Sequence, residues 1–231
     1  MRLENQDGQT LLVHSIFYTI QGEGPFAGRP AVFIRLGGCN IQCPGCDTEY
    51  SKGAKQMALE DIAGQTLCLP TPLGGDTVSL VVITGGEPFR QNITPLCRRL
   101  FAGKVRHVQV ETNGTLHPSP ELPGAVTVVC SPKTPVISPT LAARANAFKY
   151  VVSHNDRISA ATGLPHGVLG ANYPNHVARP PEGFDPAAVF IQPMDEQDDG
   201  ANFRNLTTAA TICLRYGYRL SVQLHKLVGL A

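Results

Sequence analysis

Charge of one sign is not in excess: 19 Lys and Arg stand against 18 Asp and Glu, a formal net charge of +1 over 231 residues. Neutralising a phosphate backbone takes a basic stripe or patch, so no nucleic-acid partner is expected. No apolar run has the length to span a bilayer, and no basic-then-apolar leader opens the chain. The expectation is a cytoplasmic protein without a membrane partner. No internal repeat or low-complexity segment stands out, and the 42% hydrophobic content is that of a globular chain. Residues 1–231 are therefore expected to form a single domain with a sizeable core.

A second cysteine pair is also missing. Three of the seven cysteines fall in the run GGCNIQCPGCDT as Cys39, Cys43 and Cys46, a C-x3-C-x2-C spacing. Zinc takes four ligands, usually paired C-x2-C units or cysteines with histidines, and the nearest histidines are His14 and His107. A disulfide needs an oxidising compartment. Three thiolates on one short loop suit three corners of a [4Fe–4S] cube, which normally takes four protein ligands. The fourth iron is then open to a small molecule that accepts one electron. Cys68, Cys97, Cys130 and Cys213 lie in apolar surroundings and are expected to be small buried hydrophobes.

Short β-branched runs recur at Val32–Leu36, Val78–Thr84, Val105–Thr112, Val126–Cys130, Phe148–Val152, Val189–Gln192 and Leu220–Leu224. Most are continuously apolar, as in parallel strands buried on both faces. Leu59–Leu67, Asn92–Phe101, Leu141–Asn146 and Asn205–Tyr216 are expected helices, the last with Leu206, Ala210, Cys213 and Leu214 on one stripe and Gly217 as its stop. Ala160–Pro186 is irregular and rich in Gly, Pro and Asn, which predicts a long loop or lid, and Gly53–Asp76 is a weaker case of the same kind. Alternating strand and helix predicts an α/β fold.

Five expected strands run into polar or glycine-rich signatures: the cysteine loop, Gly85-Gly86-Glu87-Pro88, Glu111-Thr112-Asn113-Gly114, Ser131-Pro132-Lys133 and Gln192-Pro193-Met194-Asp195. Parallel sheets place their sites at strand C-termini, so the five predict one shared site on a curved sheet. The glycines of GGEP let backbone approach a ligand closely, and its Glu87 can accept hydrogen bonds from an ammonium. Alone, that motif reads better as a tight turn with a surface glutamate. After a C-x3-C-x2-C loop the ligand reading is preferred. Ser131, Lys133 and Gln192 can supply donors and acceptors to a carboxylate, ribose or adenine. Glu111 and Asn113 can do the same, although Asn113-Gly114 is also an ordinary turn signal.

The cysteine loop and GGEP together resemble the radical S-adenosylmethionine (SAM) superfamily. The run Tyr18-Thr19-Ile20-Gln21-Gly22-Glu23-Gly24-Pro25, with Phe33-Ile34-Arg35-Leu36-Gly37-Gly38-Cys39 and Cys46-Asp47-Thr48, closely resembles the 7-carboxy-7-deazaguanine synthase family. The likeness extends from Ile16 nearly to the end of the chain. It implies a partial, open TIM-like radical SAM barrel of about six to seven mainly parallel strands, and a homodimer. It implies conversion of 6-carboxy-5,6,7,8-tetrahydropterin to 7-carboxy-7-deazaguanine with loss of ammonia, through hydrogen abstraction by a 5′-deoxyadenosyl radical and ring contraction. The implied cofactors are a [4Fe–4S] cluster, SAM and Mg²⁺, with a flavodoxin-like protein as electron donor.

By the same resemblance Cys39, Cys43 and Cys46 hold the cluster. Gly45, Cys46, Asp47, Gly86, Glu87, Ser131, Pro132, Lys133 and Gln192 surround SAM. Ile20, Gln21, Gly22, Glu23, Arg35, Thr84 and the carboxylate of Ala231 meet the pterin, and the Thr48 hydroxyl binds Mg²⁺, a hard cation that takes few protein ligands. Gln21 and Glu23 suit the pterin's amide and amine. Arg35 suits its carboxylate, bidentate and always charged, with a structural ion pair as the alternative. Thr48 starting a helix is the alternative to a metal ligand. Packing is the expectation for His225, and no role is assigned to Lys226. A glycyl-radical-enzyme activase shares the cysteine spacing but has no need of Gln21, Glu23 and Arg35. A non-enzymatic metal-binding module is the other rival.

Overall fold

The computed structural model describes residues 7–69, 78–119, 121–171 and 176–230. β1 (Thr10–Ile20) pairs antiparallel with β2 (Pro30–Leu36) on one side and with β3 (Lys55–Ala58) on the other. From β2 onward every pairing is parallel, through β4 (Leu80–Gly85), β5 (His107–Thr112), β6 (Thr127–Cys130), β7 (Ala147–Val152), β8 (Val189–Pro193) and β9 (Arg219–Leu220). The sheet order is β3-β1-β2-β4-β5-β6-β7-β8-β9, unclosed, so β3 and β9 are its edges. β2 and the six strands from β4 to β9 make seven parallel strands in an open α/β sheet, as the sequence predicts.

Strand periodicity separates the two faces of the sheet. One face carries Val32, Ile34 and Leu36 of β2, Val81 and Ile83 of β4, Val108 and Val110 of β5 and Tyr150 of β7. These pack with Ile62 of α1 (Leu59–Cys68), Leu96 and Leu100 of α2 (Thr94–Ala102), Leu141 of α3 (Pro139–Arg144) and Ile212 of α4 (Asp199–Tyr216). Truncating Leu96 or Leu100, both 0% exposed, to alanine costs about 2–5 kcal/mol in such a setting. The concave face is apolar in its lower layers, with Ala31, Leu80, Val82, Val129, Ala147 and Phe190. One step nearer the strand C-termini the same face turns polar, with Arg35, Thr84, Glu111, Ser131, Lys149 and Gln192. That change of character makes a floor below and a site above.

Several expected elements differ. β1 and β3 are additional strands. β1 mixes apolar pairs with polar residues and is mostly half-buried, and the short KQMA run of β3 is a strand because it pairs with β1. The second of the two expected irregular segments thus contains β3 and α1. α4 begins at Asp199, where the Asp198 carboxylate accepts the Ala201 N–H at 2.7 Å, and stops at Gly217, whose φ of 74° closes it. Its buried residues are Ala201, Asn205, Ala209, Ile212 and Cys213, while Leu206 and Leu214 face outward, so the expected stripe is rotated. Cys97, Cys130 and Cys213 are buried, but Cys68 is exposed at the end of α1. The last expected strand stops at Leu220, and its remainder leads into α5 (Leu224–Leu227). The 160–186 segment is irregular among its described residues, yet Leu164, Val168 and Val177 pack into the core. Residues 172–175 of it lie outside the described residues. No helix among the described residues is long and apolar enough to cross a membrane.

Candidate active site

The five strand-end signatures gather at one end of the sheet. Gly85 has φ 124°, and a Cβ there would meet the Leu36 carbonyl oxygen at 2.2 Å. A Cβ on Gly86 would stand 1.9 Å from Gly38 O and 2.8 Å from Cys39 N. Only glycine lets the GGE backbone press on the base of the cysteine loop. Backbone bonds fix that loop: Gly86 N–H to Leu36 O at 3.2 Å, Glu87 N–H to Gly38 O at 3.0 Å, Gly38 N–H to Tyr50 O at 2.9 Å and Gly45 N–H to Leu169 O at 3.0 Å. The 160–186 segment thereby reaches the cysteines directly.

Cys39 and Cys43 are half-buried, Cys46 is exposed, and all three are free thiols. Burial pushes the Cys39 and Cys43 thiols up, and the charge of Cys46 adds to it in both. Among the described residues no three His, Cys, Asp or Glu side chains converge closely enough for one ion. A cube with iron at four corners spreads its ligands wider. Three free thiols on one pinned loop, Cys39 and Cys43 pushed up by burial so that a bound cation would be needed to hold them as thiolates, fit such a group. The Asn113 amide donates to Cys39 Sγ at 3.9 Å and to Asn40 Oδ1 at 3.0 Å.

Beside the loop lies a cavity of about 360 Å³. It collects Ile20, Gln21, Glu23, Arg35, Gly45, Asp47, Thr48, Thr84, Ser131, Lys133 and Gln192 from the sequence-predicted set. Gly22, Gly86, Glu87, Pro132 and the three cysteines are not in its lining, and Ala231 lies outside the described residues. Glu87 is not the surface glutamate of an ordinary turn. It is 0% exposed, and its carboxylate accepts from Phe89 N–H at 3.0 Å, Thr112 Oγ1–H at 2.7 Å and Asn113 N–H at 2.7 Å. Burial raises its pKa. It clasps the end of β5 to the GGEP turn.

Arg35 and Thr84 are register partners on β2 and β4. The Arg35 guanidinium lies 5.3 Å over the Phe17 ring, and its buried Nε has no hydrogen-bond partner. No carboxylate among the described residues pairs with it, so the structural ion pair is not formed. Gln21 is nearly buried, with its amide donating to Glu111 Oε1 at 3.0 Å and its oxygen accepting the Glu23 N–H at 3.1 Å. Glu23 pairs with Lys149 and accepts from Gln223 at 2.8 Å and Gln192 at 3.3 Å. Burial alone would raise the Glu23 carboxyl, but Lys149 and the Gln223 donor hold it down at about 2. Lys133 donates to Ser131, and burial with the nearby Lys149 charge lowers its ammonium to about 8. Gln192 Oε1 is buried without a partner. Thr48 is not in a helix; its hydroxyl donates to Asp47 Oδ1 at 3.2 Å.

Sequence reasoning passed over Lys149, Gln223 and the C-terminal turn. Lys226 sits on α5, not on a strand, and bridges Asp47 at 3.3 Å and Asp195 at 3.0 Å. His225 lines the cavity as well as packing, and burial lowers its pKa. The one available signal for Lys149 was a lysine inside an otherwise apolar strand, FKYVV.

An open, mainly parallel barrel with a three-cysteine loop and a polar cavity at its strand C-termini is that of a radical SAM enzyme. No protein-family model matches the chain. A 7-carboxy-7-deazaguanine synthase of Rhodospirillum rubrum is 41% identical over 97% of this chain and 94% of its own length. Another, of Pyrobaculum aerophilum, is 35% identical over 92% of each chain. The fold is that of the crystal structure of QueE from Escherichia coli, with a TM-score of 0.67 at 24% identity over 96% of this chain and 99% of that one. The chain belongs to the 7-carboxy-7-deazaguanine synthase family.

Proposed function

We propose that this chain makes 7-carboxy-7-deazaguanine, the deazapurine of queuosine biosynthesis, from 6-carboxy-5,6,7,8-tetrahydropterin, with loss of ammonia. The observation that carries the reading is Arg35: a guanidinium on the cavity wall, its Nε buried and unpaired, beside a loop of three free thiols. Cys39, Cys43 and Cys46 would hold a [4Fe–4S] cluster. With SAM bound, that cluster would supply the reductive radical chemistry that removes a hydrogen atom from C6 of the pterin.

The chain's own residues bind and orient. Arg35 takes the pterin carboxylate, with Thr84 beside it on the next strand. Gln21, Glu23 and Glu111 form the acceptor-rich edge that suits the pterin's amine and amide. Lys133, Ser131 and the unpaired Gln192 oxygen suit the carboxylate and hydroxyls of SAM, with the Gly45–Asp47 and Gly86 backbone close by. The Thr48 hydroxyl and neighbouring Asp47 suit a Mg²⁺ that keeps most of its waters. Phe17 and Phe33, stacked at 5.4 Å, and Leu230 on the C-terminal turn give apolar walls that keep water from the ring. A homodimer and a flavodoxin-like reductant belong to the same reading through the family.

Incubating the anaerobically reconstituted protein with SAM, dithionite and carboxytetrahydropterin tests it. A deazaguanine absorbance is expected. SAM cleavage without that product, but with radical transfer to a glycyl-radical enzyme, would assign the chain to the activases instead.

A further inference from the structure

We propose that Lys149 is a positioning residue of the cavity: its ammonium, held between Glu23 and Glu111, keeps both carboxylates ionised as paired acceptors for the donor edge of the substrate. The inference rests on the pterin reading of the site. Lys149 comes from β7 with a side chain only 8% exposed. It is paired with Glu23, and Glu111 Oε2 lies 3.7 Å away. The two acids arrive from opposite parts of the chain, Glu23 from the turn after β1 and Glu111 from the end of β5. Gln21 ties them a second time, its oxygen to the Glu23 N–H and its amide to Glu111.

Two carboxylates in reach of one ammonium are in reach of one another. Without the cation between them, like charges in a desolvated pocket do not both ionise, and one keeps its proton. A protonated carboxyl turns an acceptor into a donor, and the substrate's amine and amide lose a partner. The other charged groups do not replace the cation. Lys133, from the loop after β6, feels Glu23 but is hydrogen-bonded to Ser131 and is the weaker cation, its pKa lowered by burial while that of Lys149 is raised. Asp47, on the cysteine loop, adds negative charge. His225, on α5, faces Glu23, but burial lowers its pKa and so weakens it as a cation there. The Lys149 pKa is raised, because the charges of Glu111 and Glu23 outweigh its burial, so the ammonium persists through the working pH range.

The test is kcat/KM for carboxytetrahydropterin between pH 5.5 and pH 8.5 in wild type, Lys149→Met and the double variant E111Q/K149M. Wild type should show no acid limb from these carboxyls. K149M should gain one, with KM at the acid end about 10- to 100-fold above its alkaline value and kcat moving less. Removing one carboxylate removes the repulsion, so the double variant should flatten the profile again. A K149M profile parallel to wild type overturns the proposal and leaves Lys149 a purely structural ion pair. If K149M does not fold, infrared spectra of wild type and E111Q with ¹³C-labelled glutamate decide. No protonated carboxyl at pH 6 is expected from either Glu23 or Glu111, and a protonated band that E111Q removes is the contrary result. A wild type that neither binds nor converts the pterin would instead sink the substrate reading, which the infrared result does not depend on.

Discussion

A Cβ on Gly22 would stand 2.0 Å from Nδ1 of His225, so the turn after β1 and the C-terminal helix are packed to the limit of a glycine. The Leu224 N–H donates to Gly22 O at 3.3 Å at the same contact, and α5 is thereby set over the cavity mouth. Gly22→Ala should push His225 aside and lift α5. Misplacement of this kind costs about tenfold or more in a positioned site, while the fold should lose no more than about 1 kcal/mol. Michaelis kinetics and urea unfolding, measured together, check the split. A large stability loss with unchanged KM would contradict it.

Arg35→Ala should weaken pterin binding by about 1.5–3 kcal/mol, the range for a hydrogen bond to a charged group, which is roughly 10- to 150-fold in Kd. SAM cleavage uncoupled from product should persist. Arg35→Lys should recover only part, because a point charge does not match a carboxylate bidentately. Calorimetric titration with the pterin is the measurement, and unchanged affinity in Arg35→Ala removes Arg35 from the substrate site.

Gly86→Ala acts on backbone, where nothing can rotate away: the new methyl would meet Gly38 O at 1.9 Å. The cysteine loop must shift as a unit. Iron content after anaerobic reconstitution should fall well below wild type even where the apo-protein still folds by circular dichroism. Full iron loading would show that the loop does not depend on this contact.

The Glu23–Lys149 pair sets a pH window for stability. The Glu23 carboxyl is held at about 2 against an ordinary value of 4.5, so its contribution is complete above pH 4.5 and is lost as the pH falls through 2. The Lys149 pKa is raised above 10.5, so its contribution is complete below 10.5 and fades only as the pH climbs through the folded-state value. Between pH 5 and pH 2 wild type should lose on the order of 3 kcal/mol more stability than Glu23→Gln. Parallel losses by chemical denaturation would mean that the pair is not formed.

Much of the strand-end cluster was legible in sequence because the runs that carry it are local. Cysteine spacing, GGEP and SPK each lie within one strand end, and the strands that feed them are continuous apolar runs. What escaped depends on distant pairing. β3 has few strand-forming residues and exists only against β1. Lys149 reads as an anomaly until β7 brings it beside Glu23 and Glu111. The burial of Glu87 was hidden because the three donors that enclose it come partly from β5, about 25 residues on. The α4 stripe was misplaced because Asn205 takes an inner position. It donates to Met194 O and Glu196 and accepts from His154 N–H at 2.7 Å, and no hydrophobic pattern foretells a buried amide.

The measurement closest to the centre of the account is electron paramagnetic resonance of the anaerobically reconstituted, dithionite-reduced protein, before and after SAM is added. The account predicts about four irons per chain, as a [4Fe–4S] cluster contains, and a reduced-cluster signal that changes on SAM addition because one iron lacks a protein ligand. A colourless protein, or a cluster whose signal is indifferent to SAM, contradicts it.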